Sequence, residues 1–418
     1  MNDVINVHPA EAVFPTGDAT APSRGAEAKF RVGDAMRRSC LQLLGAKLKA
    51  VILTGSLARN EATWREIDGT IDFLSDAEFV VILHESADLP SKESATLISR
   101  GAEEELRNVG ISCKLSLGAV HESYLSRLGE TIFGFELLTC GEVLYGDPKL
   151  LLSRAPHADI QVTLEDGWRM LANRTVELLE ILPELAAGKA LLSDAAQYRL
   201  TKLYLDLATS LLVFKREFVA GYQARADKLR ELQERDALGD LPFNADQFIE
   251  IVCHCAAYKS TSMWTGASPF AERKCVSRAI ADLLNLWSWE LAQMSSTEIG
   301  SPDSLLKLHM RNQRMKARVR GWLFAVRREG IVTALHHGLR WFALFRIASP
   351  RYCVYAAALN IWNTVQLDDS QNLGVDLGAA GRFLPVARRT DALVRNDITG
   401  VVSTILWNYL EFLVETRS

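Results

Sequence analysis

Two stretches, Lys49-Ala-Val-Ile-Leu-Thr-Gly-Ser56 and Ser75-Asp-Ala-Glu-Phe-Val-Val-Ile-Leu83, decide the fold. Each holds a short, β-branched apolar run bounded by polar residues, which predicts a buried strand. A Gly-Ser turn closes the first run, and two carboxylates, Asp76 and Glu78, open the second. Side chains alternate along a strand, so these two acids are expected on one face. Carboxylates held side by side repel unless a cation lies between them. Mg²⁺ (or Mn²⁺) suits that place, because it takes hard oxygen ligands and completes its shell with substrate phosphates. Gly55 permits close backbone approach to a phosphate, and Ser56 adds a hydroxyl and an N–H group.

This order and spacing resembles the polymerase-beta-like nucleotidyltransferase superfamily. Members carry a strand, a Gly-Ser turn opening a helix, and then a strand with Asp-x-Asp or Asp-x-Glu. The matching residues are LTGSLARNEATW at 53–64 and LSDAEFVVIL at 74–83. Leu138-Thr-Cys-Gly-Glu-Val-Leu-Tyr-Gly-Asp-Pro148 looks like the end of the catalytic domain in small members. The likeness covers residues 30–150, about a third of the chain. It implies an α/β (α+β) domain with a mixed sheet, followed by mostly helical domains. It also implies Mg²⁺-dependent transfer of a nucleoside monophosphate from an NTP to an acceptor: a small molecule, a protein or an RNA. Asp76 and Glu78 would hold the metal and carry the catalysis, and Gly55 and Ser56 would bind phosphate. Arg59, one turn on, is expected either at the triphosphate or on the surface. Resembling proteins place a helical domain over the nucleotide. Tyr198 and Lys202 stand four apart on such a helix and are expected at the base and triphosphate, or else as a half-buried tyrosine beside a surface lysine.

Two departures from the pattern matter. The family places a third carboxylate on a later strand, expected here at Ile111-Ser-Cys-Lys-Leu-Ser-Leu117 after a helix over 94–108. That strand carries Ser112, Lys114 and Ser116 on its polar face and no acid. Catalysis by two metals needs ligands for both. Lys114 can instead neutralise the carboxylates or hold a phosphate, and Glu122 or Glu136 are the candidates to supply the missing acid from a neighbouring segment. The second departure is a long connection, residues 57–74, containing Asp68-Gly69 between alternating apolar residues. Asp-Gly supplies positive φ at both centres of a type I′ turn, so an inserted β-ribbon is expected beside the site.

At 418 residues the chain has room for several cores. The expected division is a disordered tail over 1–25, the nucleotidyltransferase-like domain over 26–150, a helical domain over 151–300 and a basic helical region over 301–418. A helix is expected over 27–45. Ser193-Asp194 suits an N-cap for a helix over 193–217, striped by Leu200, Leu203, Leu207 and Leu211. Residues 221–240 are highly charged and read as a solvated helix or loop. Trp264, Trp287 and Trp289 are expected in a core. Seven scattered cysteines, with Cys253-His254-Cys255 poorly spaced for a metal, read as thiols of a reducing compartment. No apolar run reaches the roughly 18–20 residues of a membrane span. No signal peptide is evident, so the expected location is the cytoplasm, with peripheral membrane contact open.

Net charge is −4, but it is unevenly spread. Residues 301–418 hold 16 basic and 9 acidic side chains, against 31 and 42 before them. From Lys307 to Arg351 eleven Lys or Arg face one acid, Glu329, with Trp322, Phe324, Trp341, Phe342 and Phe345 interleaved. Three readings stay open: an anionic membrane surface, a nucleic acid, or a basic face docked on the acidic remainder of the chain. Adjacent His336 and His337 point in different directions on a helix, against a metal role. Beside the enzyme stand two other classes: a nucleotide-binding pseudoenzyme without the third carboxylate, and a scaffold whose C-terminal helices bind an anionic partner.

Overall fold

The structure is a computed structural model that describes residues 24–128, 130–152, 161–260, 268–367, 373–386 and 397–413. The expected tail (apart from Arg24 and Gly25) and Trp264 fall outside these residues. The chain begins with helix α1 (Arg24–Leu44), strand β1 (Leu48–Thr54) and a single helical turn α2 (Gly55–Ala58). The ribbon β2 (Trp64–Ile67) and β3 (Thr70–Phe73) follows, then β4 (Ala77–Leu83), α3 (Lys92–Asn108), β5 (Ile111–Ser112), β6 (Leu115–His121), α4 (Ile132–Cys140) and β7 (Glu142–Tyr145).

Strands β6, β4, β1 and β7 form one mixed sheet in that order. β4 and β6 run parallel, while β1 is antiparallel to β4 and to β7. The two apolar runs that open the sequence are its central pair, buried on both faces. Val51, Leu53, Phe79 and Val81 pack under α1 and α3, and Ala50, Ile52, Val80 and Ile82 meet Leu137, Leu150 and Leu151 on the other side. The 138–148 segment supplies the edge strand β7, closed by Gly146 at φ +104 against the Lys49 carbonyl.

The ribbon is present. Asp68 and Gly69 take φ of 50 and 77, and Ile67 pairs with Thr70, as a two-residue turn with positive φ requires. The helix after Gly-Ser is a single turn. Asn60 at φ 59 ends it after one turn, and Lys29 donates to the Ala58 carbonyl at 3.1 Å.

The remainder is helical: α5 (Leu164–Leu178), α6 (Leu182–Ala186), α7 (Asp194–Phe214), α8 (Tyr222–Glu234), α9 (Ala245–Ser260), α10 (Lys274–Ser295), α11 (Pro302–Asn312), α12 (Met315–Glu329), α13 (Ile331–His336), α14 (Gly338–Ile347), α15 (Pro350–Thr364), α16 (Gly378–Gly381) and α17 (Ile398–Leu413). Ser193 caps α7 by accepting from Ala196 N, and the four-leucine stripe is fully buried. The boundary expected at residue 300 separates no two cores. Trp168 of α5 packs on Trp287 of α10, His309 of α11 and both Tyr352 and Tyr355 of α15, with ring centroids 4.8–5.7 Å apart. One apolar cluster therefore runs from Trp168 to Phe412 and includes Trp287 and Trp289.

The basic segment is also redistributed. Trp322 and Trp341 are core residues whose indoles donate to the carbonyls of Ala348 and Pro385. Arg318, Arg340 and Arg351 turn inward, onto backbone carbonyls or Asn173. The interleaving of arginine with tryptophan is thus a packing pattern, because both groups satisfy buried carbonyls where helices end.

Glu290 on α10 is fully buried, and neither carboxylate oxygen has a hydrogen-bond partner among the described residues. Burial pushes its pKa from 4.5 up to about 8, and the nearby Ser210 hydroxyl offsets only part of this. Between those values the folded protein keeps a proton that the unfolded chain has released, so stability falls as pH rises through the window. Glu290→Gln removes the titration. Chemical denaturation is expected to show wild type losing about 4 kcal/mol relative to the variant between pH 5 and pH 9. Parallel curves for the two proteins would exclude the role.

Candidate active site

The end of β1 and the start of β4 meet in the sheet, with Thr54 paired to Glu78. Gly55 follows at φ +71 and packs directly on the glutamate. A Cβ there would lie 3.1 Å from both Cδ and Oε2 of Glu78. Glycine is required twice at this position, by its backbone angle and by the carboxylate beside it.

β4 begins at Ala77, so Asp76 stands one residue ahead of the strand rather than within it. Asp76 and Glu78 are both exposed to solvent. Protein nevertheless surrounds Glu78 on most sides, and this loss of hydration raises its pKa, while Arg59 and Lys202 pull it down and Glu136 and Asp76 oppose them. Exposure combined with close enclosure describes the wall of a recess. Lys114 reaches across from the connection between β5 and β6, its Nζ 3.2 Å from Asp76 Oδ2. The fixed positive charge expected from the sequence therefore sits on the first carboxylate.

Neither substitute for the third acid is available. β6 pairs in parallel with β4, Glu78 lying opposite Ser116 and Leu83 opposite His121. Glu122 thus begins beyond the far end of the sheet, where it pairs with Lys49. Glu136 is close enough to Glu78 to raise its pKa, but it is held by Arg59 at 2.7 Å and by Arg225. Arg59 is no surface residue. Its side chain is 7% exposed and also pairs with Glu61 at 2.7 Å.

Helix α7 brings Tyr198 and Lys202 to the same recess. The Tyr198 hydroxyl lies 3.4 Å from Ser75 Oγ, and the Lys202 ammonium sits 5.7 Å from the Tyr198 ring centre. Between them the structure adds Lys259 of α9. Its Nζ is buried and donates to Thr63 Oγ1, Ser75 Oγ and Tyr198 Oη at 2.8, 2.9 and 2.9 Å. Burial raises the Tyr198 phenol, but Lys259 and Lys202 outweigh it and bring the pKa down to about 8. Burial lowers that of Lys259 in turn.

Lys259 was legible but overlooked. Phe248, Val252, Cys255, Ala256 and Lys259 share one helical stripe, and a lysine on an apolar stripe must find partners inside. Arg225 carries the same signal ahead of Leu229 and Leu232 on α8, a helix that is not simply solvated.

Asp76 and Glu78 offer two carboxylates, and no group of three or more His, Cys, Asp or Glu gathers among the described residues. Two carboxylates suit one Mg²⁺ that also binds substrate phosphates. They do not furnish ligands for a second ion.

No protein-family model and no curated protein matches the sequence. Among solved structures the chain is similar to the crystal structure of spectinomycin adenyltransferase AAD(9) from Enterococcus faecialis with ATP and spectinomycin. Identity is 12%, and the match covers 56% of this chain and 98% of that one at a TM-score of 0.31. At that score the two agree too loosely to assign any residue.

Glu136 separates two buried arginines. Glu136→Gln leaves them facing one another and is expected to cost about 3–5 kcal/mol in urea denaturation. Asp303→Asn, at an exposed pair with Lys307, should cost less than about 1 kcal/mol. Equal losses would mean that the buried pairs carry no special weight.

Proposed function

We propose that this recess binds an NTP and transfers its nucleoside monophosphate to an acceptor. The observation that carries this reading is the apposition of Gly55 and Glu78 beside Asp76, faced by Lys202, Tyr198 and Lys259. A bare backbone turn, two carboxylates and a cluster of cations together suit a metal-bound triphosphate.

In the proposed reaction the acceptor oxygen attacks the α-phosphorus. A new P–O bond forms, the bond to the bridging oxygen breaks, and pyrophosphate leaves with that electron pair. Asp76 and Glu78 would hold Mg²⁺, which when bound supplies charge neutralisation at the phosphates. Gly55 admits the phosphates to the backbone, and Ser56 offers a hydroxyl to a terminal oxygen. Lys202 adds charge from the helical side. Arg59, already paired with two acids, braces the turn. The acceptor's proton needs a base. Tyr198, brought to about 8, is suited to take it near neutral pH in place of the missing carboxylate.

The Lys114–Asp76 pair favours a second reading: a nucleotide-binding protein without turnover, in which the ammonium stands in for a metal. Calorimetry of the four NTPs with and without Mg²⁺ separates the two. For the enzyme, Mg²⁺ strengthens binding in wild type, and Asp76→Asn removes that gain. For the pseudoenzyme, binding is indifferent to Mg²⁺ and falls in Lys114→Ala. Absence of binding in every condition overturns both.

Once an acceptor is in hand, the rate kcat/KM should rise with pH through about 8, since the phenolate is the active form. Tyr198→Phe should flatten that rise and slow turnover by about 10²-fold or more. An unchanged profile in the variant would remove Tyr198 as the base.

A further inference from the structure

The surface of the C-terminal helices is more apolar than a solvated face requires. Val332 and Leu335 on α13 are 83 and 78% exposed, and Leu339 and Phe342 on α14 are 91 and 61% exposed. Their spacing of three, four and three is that of one helix face, and only His337 separates the two helices. The other side of α14 packs inward through Trp341 and Leu344. A second stripe, Met315, Val319 and Leu323, repeats every fourth residue on α12 and lines an open cavity with Glu165, His309 and Tyr352. Isolated exposed apolar residues are ordinary, but runs at helical spacing mark a contact surface.

The same helices carry unspent positive charge. Lys316, Arg320 and Arg327 of α12 and Arg346 of α14 are exposed, as are Arg311 at the end of α11 and Arg314 just before α12. Among the described residues, only Lys307 and Arg328 of the exposed cations here form ion pairs, with Asp303 and Glu411.

We propose that α12–α14 form a docking surface for a membrane rich in anionic phospholipid. Leu335, Leu339 and Phe342 enter the acyl boundary while the arginines and lysines meet the headgroup phosphates. No helix among the described residues is long and apolar enough to cross a membrane, so the contact is one of lying on the surface. Nucleic acid fits less well. Its bases stack on aromatic rings, whereas the two tryptophans here are buried and the exposed stripes are aliphatic apart from Phe342. A two-fold contact with a second copy would set this surface against itself and oppose like charges across it.

The test is flotation of the full chain with vesicles of phosphatidylcholine alone and with added phosphatidylglycerol, over a salt series. Binding is expected only with the anionic lipid and should weaken as salt rises. Leu335→Asp with Leu339→Asp should weaken it about a hundredfold, taking about tenfold for each lost leucine. Both side chains are solvent-exposed, so the variant's melting temperature should match wild type. Should the double variant fail to fold, Arg320→Glu with Arg327→Glu serves instead and must lose anionic-vesicle binding. Equal binding to both vesicle types, or to none, overturns the proposal. So does retention of binding in the variants, or a concentration-dependent dimer that the leucine substitutions dissociate. Tighter binding to single-stranded RNA than to anionic vesicles overturns it as well.

Discussion

The rest of the structure depends on four buried charges between the sheet domain and the helices. Glu61 and Glu136 come from the sheet domain side, together with Arg59, and Arg225 comes from α8. None can be left unpaired, because an isolated charge in such a place costs several kcal/mol. Glu136 therefore needs both arginines, and Arg59 needs both acids. The backbone joins the same set: Tyr222 N donates to Glu61, and Arg225 donates to Thr209 and the Val219 carbonyl. This network leaves the two parts of the chain one way to meet. It also sets the entry angle of α2, since Arg59 follows its last residue.

The site inherits its geometry from that constraint. With Arg59 fixed, the Gly55 turn stays packed on Glu78, whose carboxylate also feels the charge of Lys202. Lys259 fastens the opposite rim, joining Thr63 and Ser75 of the sheet domain to Tyr198 of α7. The recess is thus closed by two polar joints from separate helices. Hydrophobic packing alone would hold the domains together without fixing the angstrom-scale placement that charge pairs enforce.

What was legible in the sequence had a periodic or local cause. Residues 49–54 and 79–83 are strands because they are β-branched and buried on both faces. Asp68-Gly69 makes its turn because few other pairs accept positive φ twice. Ser193 caps α7 because its hydroxyl reaches a free N–H. The failures had non-local causes. Nothing near Glu136 announces that Arg225 will reach it across 89 positions. The boundary drawn at residue 300 followed a change in charge, but cores are set by apolar contact, and Trp168 gathers partners up to Tyr355. Asn60 ends α2 after one turn because it tolerates a left-handed angle that the surrounding pattern does not reveal.

The basic C-terminal region shows why a count of charges is not a count of available charge. Eleven cations lie between Lys307 and Arg351, but Arg318, Arg340 and Arg351 are spent on carbonyls and an asparagine within the fold. Two more, Lys307 and Arg328, are matched by acids. Of the six that remain, Lys316, Arg320, Arg327 and Arg346 belong to α12 and α14, which expose apolar side chains at helical spacing, and Arg311 and Arg314 stand just ahead of them. A basic face meant for the acidic remainder of this chain would have no use for Leu339, which touches almost nothing. Charge and apolar area held on the same few helices, with neither satisfied internally, describe a surface whose counterpart is both anionic and greasy.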